Sequence, residues 1–250
     1  MIPIVFGSQY VRNKDSVDLH FIPMDTKERW KKNMSIEAHK NYLVEQGWDR
    51  EDAFIYHVNR YGFRGQWNDH PTALALGCSH TFGIGLPEED VWCSIVKREL
   101  NFELNNLGIP GSGLDGVFRV ARYYFETHKP QYAFLLIPPG GRMEILNRSP
   151  RPPSHMNIHV DDNEEDIVQF ATHWFRNPEN AENYEQRNLY AIERLCQLHD
   201  VKLYTLDWSE LQFPTRRRPR DHRARDMAHF GRPCHQRVAE LFIDLFQKDL

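Results

Sequence analysis

The sequence predicts an α/β protein in which a parallel sheet is covered by helices on both faces. Three observations carry this reading. From Thr72 onward, short apolar runs alternate with amphipathic stretches of helical period, in the order β-α-β-α-β-α-β-α. The runs, such as Thr72–Leu76 and Tyr132–Ile137, are apolar almost throughout, as strands buried on both faces require. Most of them stop in glycine or proline, at Gly77, at Gly108-Ile-Pro-Gly111 and at Pro138-Pro-Gly-Gly141.

Before this alternation, Asn33 to Trp48 holds one expected helix. Ser35 is its candidate cap, Ile36, His39, Leu43 and Val44 share a face, and Gly47 is the candidate stop. Residues 55–64 (IYHVNRYGFR) read as extended, with Gly62 permitting a tight bend. Residues 1–70 are therefore expected to form an N-terminal extension packed on the core, because they lack the apolar content for a core of their own. Residues 71–250 form the α/β domain itself.

Within it, the first strand is Thr72–Leu76. The next helix starts around Pro87, with Glu88, Glu89 and Asp90 in its first turn. Val91, Trp92, Ile95, Val96 and Leu100 make its apolar stripe, and Lys97 and Arg98 suit the negative end of its dipole. A second strand spans about Phe102–Leu107. A helix over about Ser112–His128 buries Val117, Val120, Ala121 and Tyr124. The third strand is Tyr132–Ile137. A helix over about Glu179–His199 leads to a fourth strand, Val201–Leu206. The last helix, Pro233 to about Phe246, places Val238, Leu241, Phe242, Leu245 and Phe246 on one side.

Two segments stand outside the pattern. Residues 144–178 form a long polar insertion with Pro150, Pro152 and Pro153 and the acidic run Asp161–Asp166. Loops of this length are commonly lids or mobile segments. Thr215–Arg225 (TRRRPRDHRAR) carries six arginines and one aspartate. That run reads either as a solvated loop or as an attractant for a phosphate- or carboxylate-bearing substrate.

Composition narrows the function classes. The 250 residues are 40% hydrophobic, enough for a substantial core, and 31 basic against 35 acidic residues give a net charge of −4. Nucleic acid and anionic membrane are thus not expected as partners of the whole surface. No uncharged apolar run approaches the roughly 18 residues of a spanning helix. Met1-Ile-Pro-Ile-Val-Phe-Gly7 lacks the basic flank of a secretory signal, so a cytoplasmic location is the expectation. Cys78, Cys93, Cys196 and Cys234 form no C-x-x-C pair and read as reduced thiols.

A parallel α/β sheet binds its ligands outside the carboxyl ends of its strands. The loops expected there contain Gly77-Cys-Ser79-His-Thr81, Gly108-Ile-Pro-Gly111, Gly140-Gly-Arg142 and Asp226-Met-Ala-His229. A serine straight after a buried strand becomes a nucleophile when a base takes its proton. His229 is the candidate base, and Asp226, three residues earlier, the group that holds its tautomer. Glycines after the second strand let backbone N–H groups approach a developing oxyanion.

These blocks resemble the SGNH (GDSL-type) hydrolase superfamily. Gly77-Cys78-Ser79-His80-Thr81-Phe82-Gly83 resembles its opening Gly-Asp-Ser block, and Gly85-Leu-Pro-Glu-Glu-Asp-Val-Trp92 the stretch that often follows. Asn59-Arg-Tyr-Gly62-Phe63-Arg64 is similar to the Asn-x-x-Gly-Phe-Arg lead-in of many members. Asn106-Leu-Gly-Ile-Pro-Gly111-Ser-Gly113 matches the second block, and Asp226 with His229 the terminal Asp-x-x-His block. The resemblance covers about residues 59–142 and 225–246. It implies a three-layer α/β/α fold with a flavodoxin-like parallel sheet of about five strands. It also implies cofactor-free and metal-free ester hydrolysis or acyl transfer on a small, acetyl-like acyl group. A small-molecule or glycan ester would be the substrate, with an anionic substrate as an option. Carried over by position, Ser79 is the nucleophile, His229 the base and Asp226 its orienter. The N–H groups of Ser79 and Gly111, with Arg142, form the oxyanion hole, and Arg142 and His80 contact the substrate.

Two positions depart from the family pattern. The third block, Gly-x-Asn-Asp in the family, reads Gly140-Gly141-Arg142-Met143 here. Arg142 either takes the place of the Asn side chain, binding the oxyanion or an anionic part of the substrate, or pairs with Glu144 and orients the loop. Cys78 replaces the first block's Asp and reads as buried support rather than as the nucleophile. Two other functions compete with the esterase: a catalytically inactive ligand-binding protein of this fold, and a metal-dependent hydrolase built on His155, His159, Asp161, Asp162 and His173 of the insertion.

Overall fold

The computed structural model describes residues 16–145, 154–157, 169, 173–174, 176–207 and 222–249. In chain order the N-terminal part contributes β1 (Val17–Leu19), α1 (Lys27–Met34), α2 (Glu37–Glu45) and β2 (Tyr56–Val58). The α/β part follows with β3 (Ala73–Leu76), α3 (Ser79–Phe82), α4 (Trp92–Glu99), β4 (Leu104–Asn106), α5 (Leu114–Phe125) and β5 (Tyr132–Leu136). Then come β6 (Arg142–Ile145), β7 (Ser154–Asn157), α6 (Pro178–Leu198), β8 (Lys202–Leu206) and α7 (Arg232–Gln247).

The main sheet is parallel, in the order β4-β3-β5-β8. Four strands are present among the described residues, against the five or so expected. Alternation along the strands splits the core into two layers. Ala73, Ala75, Phe134, Leu136, Tyr204 and Leu206 pack with Trp92 and Val96 of α4 and with Val238 and Phe242 of α7. Leu74, Leu76, Ala133 and Leu135 face the opposite way, onto Val117, Val120, Ala121 and Tyr124 of α5 and Ile192 and Cys196 of α6. Helices on both faces make the three-layer α/β/α arrangement.

The first of these layers is completed by the N-terminal residues. Ile22, Trp30, Leu43, Trp48, Phe54, Tyr56 and Val58 are all buried in the same cluster as α4 and α7. An additional helix, α1, was not legible in the sequence, because its only buried residues are Trp30 and Asn33. Thr26 starts it by accepting from the Arg29 N–H at 3.1 Å. Ser35 ends α1 rather than capping α2, its hydroxyl turned back to the Lys32 carbonyl at 2.7 Å. On α2, Leu43 is the buried residue, while Ile36 and Val44 are exposed, so the inward face is narrower than the spacing suggested. The helix expected from Pro87 is two pieces, a 3₁₀ turn over Glu88–Asp90 and then α4, divided by extended Val91.

Candidate active site

β3, β4 and β5 end side by side, and the chain leaves β3 toward β4 before crossing back to β5. That crossover is the topological switch point where such sheets bind ligands. After β3, Gly77 adopts φ +149°, and a Cβ there would lie 2.2 Å from Thr81 Oγ1 and 2.7 Å from the Leu136 carbonyl. Ser79 opens α3, whose turn is closed by Thr81 and Phe82 N–H groups on the Cys78 carbonyl, at 3.0 and 2.9 Å. The side chain is 5% exposed, and its hydroxyl has a distant contact, 4.0 Å, with the Cys78 sulfur.

The β4 loop lies directly on this turn. Asn106 Nδ2 donates to the Thr81 carbonyl at 2.7 Å, and the Ile109 N–H donates to the Gly77 carbonyl at 3.0 Å. Its two candidate glycines differ in what they offer. The Gly108 N–H is spent on Asn106 Oδ1 at 2.9 Å, and a Cβ on Gly108 would strike Phe82 N at 2.3 Å. Gly111 is the left-handed residue of the loop, at φ +80°, and no acceptor engages its N–H among the described residues.

Asp226 and His229 form a buried pair. His229 Nδ1 donates to Asp226 Oδ2 at 2.6 Å, while Oδ1 accepts the N–H groups of Ala228 and His229, both at 3.0 Å. Burial on its own would raise the Asp226 carboxyl, but the His229 bonds outweigh it and hold the group below the usual carboxylate range. With Nδ1 donating to the carboxylate, Nε2 is the nitrogen that faces away from Asp226 and is open to a proton-transfer role. The ring meets His80, one residue after Ser79, edge to face with centroids 5.2 Å apart, and His80 in turn stacks on Phe230 at 5.0 Å. Burial above all holds the His80 imidazole well below its ordinary range, with the neighbouring imidazoles of His229 and His235 and the Arg142 and Arg223 cations adding to it, so it is neutral.

Arg142 opens β6, and its Nη1 donates to the Ser112 carbonyl at 3.3 Å, beside the Gly111 loop. Pairing with Glu144 is not observed. That carboxylate is taken by Arg119, through Nε at 2.5 Å and Nη2 at 2.7 Å. Of the metal alternative, His159, Asp161 and Asp162 lie outside the described residues, as does the His155 side chain, and His173 is exposed. The arginine run lies outside them up to residue 221.

Several supporting residues act through partners that motif reading does not supply. Arg64 is 2% exposed and donates to the carbonyls of Phe82, Gly83 and Leu86, clamping the loop after Ser79. The lead-in motif explains its aim. Asn59 Oδ1 accepts the Tyr61 and Phe63 N–H groups, Gly62 turns at φ +82°, and Phe63 is buried, which projects Arg64 inward. Arg225, immediately before Asp226, pairs with buried Asp25, which also accepts from the Tyr56 hydroxyl. Arg29 Nη1 lies 3.7 Å from Asp226 Oδ2. His235 Nδ1 accepts the Trp92 N–H at 3.1 Å, capping α4 from α7. Asp25, Arg29 and His235 carried no local signal, since each acts across a large sequence separation.

No family model matches the sequence, and no curated protein matches it. Among solved structures the chain is similar to a family 3 carbohydrate esterase of Clostridium thermocellum, at 15% identity and TM-score 0.37, over 70% of this chain and 96% of that one. It is also similar to an acetyl xylan esterase of the rumen bacterium Butyrivibrio proteoclasticus, at 13% identity and TM-score 0.40, over 78% of this chain and 68% of that one. A third, titled as a lipolytic protein of the G-D-S-L family from Desulfitobacterium hafniense DCB-2, shares 11% identity at TM-score 0.35, over 71% of this chain and 99% of that one.

Proposed function

We propose that the protein is a serine-dependent ester hydrolase or acyltransferase acting on a small, acetyl-like acyl group of a small-molecule or glycan ester. The observation that supports this reading best is the buried Asp226–His229 pair, whose imidazole meets the ring of His80 on the turn that Ser79 opens. Nε2 of His229 takes the Ser79 proton as Oγ attacks the ester carbonyl. The N–H groups of Ser79 and Gly111 stabilise the oxyanion, with Arg142 as a cationic third donor in place of the family's Asn. His229 then protonates the departing alcohol, leaving an acyl-enzyme that water or a second alcohol resolves. Asp226 stays ionised throughout and stabilises the imidazolium.

Treating the folded protein with a fluorophosphonate tests this. The expected result is one covalent adduct, mapped to Ser79 by peptide mass spectrometry and absent from Ser79→Ala. A folded protein that takes no label overturns the reading. The absence of the family's Asn favours a second one, a ligand-binding protein without catalysis. That alternative predicts that Ser79→Ala leaves ligand affinity unchanged.

A further inference from the structure

We infer that Arg29, on the N-terminal helix α1, is a positioning residue for the Asp226–His229 pair. Its guanidinium holds the shared carboxylate in place and keeps His229 uncharged until the serine proton arrives. The role rests on the hydrolase reading above and deepens it, since it makes the N-terminal residues part of the reacting centre.

Two charged residues of the N-terminal part meet two consecutive residues of the loop that carries the pair. Asp25 is bonded to Arg225 at 2.8 Å, and Arg29 Nη1 lies 3.7 Å from Asp226 Oδ2. The signs alternate on both sides, so an exchange of partners would set like charges together. Local structure fixes where Arg29 stands. Its backbone N–H donates to the Thr26 hydroxyl at 3.1 Å, and buried Trp30, the next residue, donates from Nε1 to the Trp48 carbonyl at 2.9 Å. Further bonds seat the loop on the same region. The Tyr42 hydroxyl donates to the Arg223 carbonyl at 2.6 Å, and Arg232 Nη1 to the Gln46 carbonyl at 3.0 Å.

Oδ2 is also the oxygen that accepts from His229 Nδ1, at 2.6 Å. Arg29 therefore acts on the imidazole in two ways of the same sign. Its cation competes for the carboxylate charge that the Nδ1 proton uses. It also stands no more than about 6 Å from Nδ1, where it opposes a second positive charge. The Asp226 side chain is fully shielded and that of Arg29 is 40% exposed, so solvent weakens the effect without abolishing it.

Other charged or titratable groups surround the pair. His80 of α3 meets the His229 ring, and His235 of α7 lies near it; burial keeps both neutral. Asp25 and Arg225 offset one another as a buried pair. Arg223 Nη1 donates to the Ala228 carbonyl at 2.7 Å. Arg29 is the cation that reaches the carboxylate itself.

The test is the pH dependence of kcat/KM on 4-nitrophenyl acetate, with each variant normalised to its own plateau. The acid limb reports the charging of the free enzyme's base. Arg29→Gln is expected to move its midpoint up by about half a pH unit, and Arg29→Glu by about one unit. Arg29→Lys should stay within about 0.2 units of wild type. The difference between wild type and Arg29→Gln should shrink as salt is raised. Arg50→Gln removes an exposed charge paired with Asp52, controls for net charge, and is expected to leave the midpoint in place. Coincident midpoints in wild type, Arg29→Gln and Arg29→Glu overturn the role, whatever the plateau heights. So does a shift that Arg50→Gln reproduces. A wild type that turns over no ester defeats the hydrolase reading alone. The same midpoints are then read by NMR of isotope-labelled histidine, with His229→Gln assigning the signal. The ordered shift there supports the role, and coincident midpoints overturn it. If Arg29→Gln does not fold, Arg29→Met supplies the neutral side chain.

Discussion

Arg225 and Asp25, separated by 200 residues in the chain, form an ion pair in which both side chains are fully shielded from solvent, with Nη2 to Oδ2 at 2.8 Å. The guanidinium lies over the rings of Phe54 and Phe21, 4.0 and 4.6 Å from their centroids, and the Arg225 N–H donates to the Gly85 carbonyl at 2.9 Å. The Tyr56 hydroxyl donates to Asp25 and accepts the Gly85 N–H at 2.7 Å. One network therefore ties the N-terminal region to the loop after Ser79 and to the residue preceding Asp226.

Breaking that pair from one side strands a buried charge. Asp25→Ala and Arg225→Met are each expected to cost about 3–5 kcal/mol of unfolding free energy, measured by urea denaturation. The double variant Asp25→Leu/Arg225→Met is expected to recover most of the loss. Strict additivity of the two single changes would show that they do not act as a unit.

Asp226→Asn is expected to lower kcat by roughly 10³–10⁴-fold with little change in KM. An amide can present its N–H₂ to Nδ1, which moves the imidazole proton to Nε2 and removes the base. Esterase kinetics on 4-nitrophenyl acetate would check this, and a loss of less than tenfold would separate Asp226 from the chemistry.

Two glycines with similar backbone angles separate steric closeness from conformational cost. Gly85, at φ +80°, would place a Cβ 2.6 Å from Ala224 Cβ and 3.1 Å from Arg225 N. Gly47, at φ +73°, has nothing within 4 Å. Gly47→Ala is expected to cost about 1–2 kcal/mol from backbone strain alone. Gly85→Ala is expected to cost about 2–4 kcal/mol, because it also pries the Ser79 loop from the Asp226 loop. Equal losses in thermal or urea unfolding would contradict that close approach.

His235 supplies a pH dependence with a definite sign. Burial, followed by the charges of His229 and Arg64, pushes its imidazole down from 6.5 to about 3, so it remains neutral while accepting from Trp92. The unfolded chain binds this proton more readily than the folded one. The stabilisation is complete above about pH 6.5 and is lost progressively as pH falls toward 3, at no more than about 1.4 kcal/mol per pH unit. His235→Asn keeps an acceptor for the Trp92 N–H but does not titrate. Its unfolding free energy should fall less steeply than that of wild type between pH 6 and pH 4.

The thiols offer a simple check on the core. Burial pushes Cys93 and Cys196 up to about 12 and Cys234 to about 11, and Cys78 is 1% exposed. None of the four should react with Ellman's reagent at pH 8 in the native state, and all four should react in urea. Rapid native labelling of Cys78 would reopen its role.

The strand-and-helix alternation from Thr72 onward was legible in the sequence because parallel strands buried on both faces must be apolar along their whole length. Local patterning settles that choice before any tertiary contact forms. The loops that hold Ser79 and Gly111 were legible for a related reason, since a buried apolar run that stops in glycine marks where the chain leaves the sheet, and the spacing of Asp226 and His229 allowed the pair that the fold forms. What brackets those positions was not legible. Asp25 with Arg225, Arg64 with the carbonyls of residues 82, 83 and 86, and His235 with Trp92 join residues far apart in the chain. No spacing rule announces such partners, because their pairing depends on which surfaces meet once the layers pack. Tertiary structure likewise decided the fate of Arg142, whose neighbour Glu144 was claimed by Arg119 on α5. Periodicity determines the elements, and only the packed fold determines which buried charges find one another.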